Sequence, residues 1–271
     1  ELGEVIIGNE LQIPTNFGRV AAGTAKQIVV QRIKEAEKQS ISEEFQDKEG
    51  ELMVGTLSRE DQNNYFVDLG RCSGILPKDQ IIPGEKLEMG SSVKVYVSKL
   101  EIGPKGPFIM LSRSHYGFVK RLLEIEIPEL SDGTIMLYSV ARDAGNRSKI
   151  AVYTEYTNVD PIGAVIGEKG RRIANVLKEL SGEKIDVILY DKDPVKFIAN
   201  ALSPAKDVKV SIKDETKKEA LALVNDKNLS LAIGKKGQNV KLASRLTHYK
   251  IEVKPEEQEN TETTEETSAE E

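Results

Sequence analysis

One nine-residue pattern occurs twice in this chain: residues 165–173 read Val-Ile-Gly-Glu-Lys-Gly-Arg-Arg-Ile, and residues 232–240 read Ala-Ile-Gly-Lys-Lys-Gly-Gln-Asn-Val, an offset of 67. The flanks repeat as well. Helical patterns precede the loop (residues 160–166 and 228–233) and follow it (171–180 and 238–247). A strand pattern closes each copy at 184–187 and 250–253, where the offset is 66, so one residue has been dropped. Strand-like pairs stand ahead of each copy, 134–140 with 149–153 and 208–212 with 220–224. A unit that recurs with all its parts must fold twice the same way, so the second half of the chain is two tandem α/β units.

Two glycines spaced Gly-x-x-Gly let a backbone turn sharply and approach another backbone without a Cβ in the way. The amides that open the following helix point outward at the positive end of its dipole. Lys169, Lys235 and Lys236 lie in the loops, and Arg171 and Arg172 follow the first. A single such loop is also what a plain helix–turn–helix corner needs. The same loop twice, with Ile before it, Lys at its third position and an aliphatic residue three places after it, suits the sugar-phosphate strand of a nucleic acid.

Charge tests that reading. The net charge of −6 argues at first against nucleic acid, but it is an average. Residues 1–113 carry −3, residues 114–254 carry +5, and residues 255–271, PEEQENTETTEETSAEE, carry −8. The last stretch has too little apolar surface to offset its ordering entropy and reads as a disordered acidic tail. It is also a candidate cover for the basic surface of the repeated units. Other chemistries find little support. The single Cys72 and the two histidines, His115 and His248, form neither a zinc cluster nor a nucleophile pair. Asp191 and Asp193 read as a turn and helix cap rather than paired acids. No phosphate loop of the Walker type occurs. No apolar run reaches the ~20 residues of a membrane helix, and no secretory signal opens the chain. We therefore expect no enzyme activity, no metal and no cofactor.

Short β-rich runs at 51–57, 64–69, 92–99 and 108–112, punctuated by Gly and Pro, predict a small barrel. Before it, residues 1–13 read as the end of a strand, Pro14-Thr15-Asn16 as a turn and cap, and residues 17–39 as a helix with Ala22, Ala25, Val29, Ile33 and Ala36 on one stripe. There is no initiator Met, which reads as a fragment or a processed product.

The repeated loop resembles that of KH domains, which clamp about four nucleotides of single-stranded RNA or DNA. With its strands ahead of the loop, the order is similar to the bacterial (type II) form. The run 64–70, then Gly74-Ile-Leu-Pro77, 90–97 and 109–113, resembles the ribosomal S-one type of OB fold. That resemblance places an RNA-facing aromatic at Phe66 and lacks the family's second ring near Pro77-Lys78, so base stacking there should be weak. Barrel, KH, KH in this order, preceded by Phe17–Ile28, resembles a family of bacterial transcription elongation and termination factors. The most specific stretches are 142–152, 160–170, 182–186 and 228–243.

The resulting expectation is a multidomain α+β chain. Residues 1–41 are the remnant of an N-terminal polymerase-binding domain with a connector helix, 42–113 a five-stranded OB-type barrel, 114–191 and 192–254 two type II KH domains, and 255–271 the tail. The resemblance implies single-stranded nascent RNA and RNA polymerase as partners, the latter mainly through a head mostly absent here. It leaves room for other transcription factors and implies a cytoplasmic monomer with no membrane contact. The RNA contacts it implies are Ile166, Gly167, Lys169, Gly170, Arg171 and Arg172 in the first KH unit. In the second they are Ile233, Gly234, Lys235, Lys236, Gly237, Gln238 and Asn239, with Phe66 in the barrel. Glu168 opposes a phosphate, so the second loop should be the stronger. The other readings are the KH and OB portion of an RNA-degrading enzyme or of a ribosome-associated protein. The enzymes place one KH copy before the barrel, the reverse of the order here.

Overall fold

A computed structural model of the protein describes residues 17–103 and 106–256. The expected strand at 1–13, its turn, and all of the acidic tail beyond Glu256 lie outside the described residues.

Helix α1 (Phe17–Gln46) is longer than its periodicity suggested. Its apolar stripe is exposed, Val29 and Ile33 at 56% and 52%, and only Phe45 near its end is buried, in the barrel core. The stripe therefore packs on nothing among the described residues.

The barrel strands are β1 (Leu52–Glu60), β2 (Asn64–Asp68), β3 (Ser73–Pro77), β4 (Ser92–Gly103) and β5 (Gly106–Ser112). They close in the order β1-β2-β3-β5-β4, antiparallel except for the parallel pair β3·β5. Alternation sets the filling: Leu57, Val67, Leu76, Val95, Val97 and Leu111 point inward and are fully buried. Each such side chain contributes about 1.5–3 kcal/mol on leaving water. Cys72 lies against this core, and burial pushes its thiol up to about 11, which leaves it a protonated, inert apolar group.

The first α/β unit runs α2 (Tyr116–Glu126), α3 (Pro128–Ser131), β6 (Met136–Asp143), β7 (Arg147–Tyr153), α4 (Pro161–Ile166), α5 (Arg171–Glu179) and β8 (Lys184–Leu189). The second runs α6 (Pro194–Ala201), β9 (Lys209–Asp214), β10 (Glu219–Val224), α7 (Asp226–Ile233), α8 (Gln238–Thr247) and β11 (Lys250–Pro255). Each sheet has three strands, β6-β7-β8 and β9-β10-β11, antiparallel then parallel. The parallel pair demands a crossover, and the two helices with the Gly-x-x-Gly loop between them supply it. This is the helix-strand-strand-helix-helix-strand order of the bacterial KH form. Asp193 accepts from the Val195 amide as the cap of α6, the role its sequence position suggested.

The two units share a core. One face of the first sheet packs Ile150 and Val152 on Phe118, Leu122, Val165 and Val176. The other face puts Ala141, Ala151 and Ile188 against Phe197, Leu242 and Leu246 of the second unit. Strand β7 is thus covered on both sides. Lys149 on that strand is wholly buried, and its Nζ donates to the Ser203 carbonyl (2.6 Å) and lies 3.2 Å from Asp186. Burial pulls its ammonium below the ordinary lysine value, and Asp186 opposes that shift.

At the junction of barrel and first KH unit, the Nδ1 of His115 accepts from the Gly117 amide to cap α2, and its ring stacks on Tyr96 at 4.9 Å. Burial, then the neighbouring Arg142, holds the imidazole below its usual pKa. The folded state therefore favours the neutral ring. This contribution to stability is complete above the unfolded value of about 6.5 and is lost as pH falls through the lower folded value. We expect denaturant unfolding to show stability declining from pH 7.5 to 5, with His115→Asn, a cap that does not titrate, giving a flatter profile in that window.

Candidate nucleic-acid interface

The two loops have the same backbone. Gly167, Lys169 and Gly170 have φ/ψ of 75/171, 52/26 and 74/15°; Gly234, Lys236 and Gly237 have 74/171, 54/28 and 73/14°. All six residues have positive φ, and in each loop the third position places a lysine in the left-handed region, which a non-glycine residue rarely adopts. A Cβ on Gly170 or Gly237 would meet nothing within 4 Å, so these glycines leave open space on the outer side of the loop. Gly167 and Gly234 are needed from inside. A Cβ on Gly234 would lie 2.8 Å from the backbone nitrogen of Asn239, whereas on Gly167 it would meet only the side chain of Arg172, at 2.7 Å. Alanine at either position costs on the order of 1–3 kcal/mol through φ alone. We expect Gly234→Ala to lower stability more than Gly167→Ala, measured by thermal unfolding of the two variants, because backbone cannot step aside as a flexible side chain can.

Helix caps separate these loops from ordinary corners. Helices α2, α4, α6 and α7 are capped by side chains of His115, Asp160, Asp193 and Asn225. Helices α5 and α8, which follow the loops, start on Gly170 and Gly237 with no side-chain cap. Their opening amides keep their donors at the positive end of the helix dipole, which is the arrangement an anion needs.

The predicted residues divide into two groups. Lys169, Arg171, Lys235 and Lys236 are exposed and form no ion pair among the described residues. Arg172 and Asn239, equivalent by the 67-residue offset, turn inward instead. The Arg172 guanidinium donates to both Glu129 oxygens and to the Ala164 carbonyl, each at 2.9 Å. The Asn239 amide donates to the carbonyls of Leu202, Leu231 and Ala232. Both side chains hold the carbonyl end of the preceding helix, so they set the loop rather than face a strand. Gln238 donates to Asp143 of the first unit at 2.5 Å. Ile166 is 37% exposed beside its loop, and Ile233 is half-buried.

Two features went unread in the sequence. Lys241 and Arg245 follow Gln238 along α8 and, with Lys235 and Lys236, line a cleft of about 380 Å³ closed by Asp143 and Asn146 of the first unit. Their i, i+4 spacing was visible; their closeness to the first unit's hairpin was not. In the barrel, Phe66 lies half-exposed outside the wall whose inner face holds Val67, and the guanidinium of Arg59 sits 4.0 Å over its ring. Arg59 and Phe66 are partners in the β1·β2 register. At the position lacking a second ring, Lys78 lies 5.3 Å from Tyr65. Among the described residues no His/Cys/Asp/Glu group could hold a metal.

Comparison with known proteins gives matches along the chain. The model for the NusA-like first KH domain matches residues 113–190, that for the NusA-like second KH domain residues 194–261, and that for the NusA N-terminal domain residues 1–39. Three similar proteins carry the name transcription termination/antitermination protein NusA. That of Halalkalibacterium halodurans is 49% identical over 243 residues, covering 90% of this chain and 63% of its own. That of Bacillus subtilis is 47% identical over 256 residues, covering 93% and 69%. That of Thermus thermophilus is 45% identical over 252 residues, covering 92% and 65%. The chain thus spans about two-thirds of the length of these relatives.

Proposed function

Because the chain belongs to the NusA family of transcription termination/antitermination proteins, we propose that it binds single-stranded nascent RNA through its two KH units while associated with RNA polymerase. One observation carries the RNA reading. Two loops of matching backbone each open an uncapped helix toward solvent, with unpaired lysines beside them. Backbone amides and lysines take the phosphates, and the adjoining grooves take the bases. Phe66 with Arg59 offers a single stacking platform on the barrel. Arg172 and Asn239 hold the loops from within.

The shared core between the KH units makes them one platform, so a strand bound to both spans a fixed path. The match of residues 1–39 to the family's N-terminal domain supports polymerase as a partner, weakly held by this portion alone. The reading is of a cytoplasmic regulator without catalysis, acting as a monomer. Among the described residues no helix is long and apolar enough to cross a membrane.

The direct test titrates labelled single-stranded RNA against the chain at several salt concentrations, with the matching duplex as competitor. Binding of the single strand that weakens steeply with salt and resists the duplex supports the reading. Equal competition by duplex, or no binding, refutes it. Co-purification with polymerase rather than ribosomes tests the partner.

A further inference from the structure

Two loops with one backbone carry different charge. The first has Glu168 where the second has Lys235, and its Arg172 is already held by Glu129. The second adds Lys241 and Arg245. Phosphate affinity is therefore concentrated in the second unit, and the first must contribute something other than charge.

Beside the first loop lies a cleft of about 700 Å³ that neither unit makes alone. Ile162, Val187 and Leu189 of the first unit form one side, and Ala199 with residues 203–208 of the second form the other. Leu189 is 41% exposed although it is a large apolar residue on an edge strand. The second wall is held at three points. Lys149 donates to the Ser203 carbonyl, Asn228 to the Lys206 carbonyl, and Asn200 to the Leu189 carbonyl. Lys206 and Asp207 stand exposed at this wall and form no ion pair among the described residues. The walls are apolar or small, which suits the two faces of a planar base. The charged pair suits a nucleotide's other parts, Lys206 a phosphate and Asp207 a base edge. A carboxylate repels phosphate, so in an RNA groove it is tolerated only where it accepts from a base amino group. Adenine and cytosine present such a group on the Watson–Crick edge, and uracil presents a carbonyl there, which Asp207 would repel.

We propose that this two-unit cleft is the base-selective pocket of the platform, taking a base with an exocyclic amino group and rejecting uracil, while the second loop supplies sequence-independent grip. The proposal rests on the RNA-binding reading above. Asp207 and Lys206 are its contacts, and Ala199 sets its width.

The test measures anisotropy of labelled adenylate, cytidylate and uridylate dodecamers bound to the full chain. The intact protein should prefer cytidylate and adenylate over uridylate by about tenfold, the size of one good base contact. Asp207→Asn should bring the ratio within about twofold without lowering the salt dependence, since an amide both donates and accepts. Ala199→Leu, which fills the slot from α6, should pull the two preferred oligomers down toward uridylate. Lys235→Ala should weaken all three by a common factor, leave their ratio unchanged and reduce the salt slope by about 0.7. An intact protein indifferent to uridylate overturns the proposal, as does a preference that survives both Asp207→Asn and Ala199→Leu. If none of the three oligomers binds, the RNA reading itself has failed.

Discussion

Replacing Glu183 with Gln is expected to lower the unfolding free energy by about 3 kcal/mol, the largest single-residue loss on this platform. Glu183 and Arg142 are buried, their side chains 0% and 2% exposed, and the guanidinium donates to both carboxylate oxygens at 2.9–3.2 Å. The arrangement is saturated. Arg142 also donates to the carbonyls of Arg113 and His115, at 2.7 Å each, and Glu183 also accepts from the Ser148 hydroxyl and the Gly145 amide. Removing the carboxylate charge leaves a guanidinium in a dry site with no counter-charge on its forked face, and desolvation then outweighs what remains. The pair joins β6, the α5–β8 connection and the chain leaving the barrel. Its loss should therefore loosen the barrel's seat on the first KH unit as well as the unit itself. Urea unfolding followed by circular dichroism gives the loss. A double-mutant cycle with Arg142→Met should return a coupling of about 2 kcal/mol or more, the upper range for contacting residues. Strictly additive single changes would show that burial of the pair contributes nothing.

Reversing both lysines of the second loop, Lys235→Asp with Lys236→Asp, is expected to weaken single-stranded RNA binding at least about a hundredfold, with the unfolding midpoint almost unchanged. A hydrogen bond to a charged group contributes about 1.5–3 kcal/mol, and two such contacts together give a loss of that size. The salt slope should also fall by about 0.7 for each phosphate contact removed. Both side chains are exposed and unpaired among the described residues, so the fold has little to lose. Position 236 sits at φ 54°, a conformation aspartate tolerates better than most residues. The same reversal of Lys169 alone should do much less, because Glu168 already cancels part of the charge in the first loop. Filter binding across a salt series reads both quantities. Unchanged affinity of the double variant would remove the second loop from the interface.

The repeat made the twin loops legible before any coordinates. Equal residues at equal spacing give equal backbones, and the dihedral angles agree to within 2°. The barrel was legible for a similar reason. Alternation along β2 puts Val67 inside and Phe66 outside, and the barrel is built that way. The helical stripe of α1 was equally clear as a period, yet it lies exposed among the described residues, because a period says which face is apolar and not what covers it.

Roles that depend on distant partners were not legible. Arg172 and Asn239 looked alike as polar residues after a loop. Only Glu129, 43 positions away, and the carbonyls of Leu202, Leu231 and Ala232 turn them inward. Arg142 and Glu183 were noted as parts of specific stretches with no hint that they meet across 41 residues. Lys206 and Asp207 lay between patterns and drew no attention. They border the first unit's groove because Ala141, Ala151 and Ile188 share a core with Phe197 and Leu246. Local chemistry, periodicity and repetition act between near neighbours, so the sequence alone determined two KH loops, a barrel and an RNA-binding character. Which side chains remain free to act depends on contacts that hydrophobic burial brings together over long separations, and only the tertiary structure decided that.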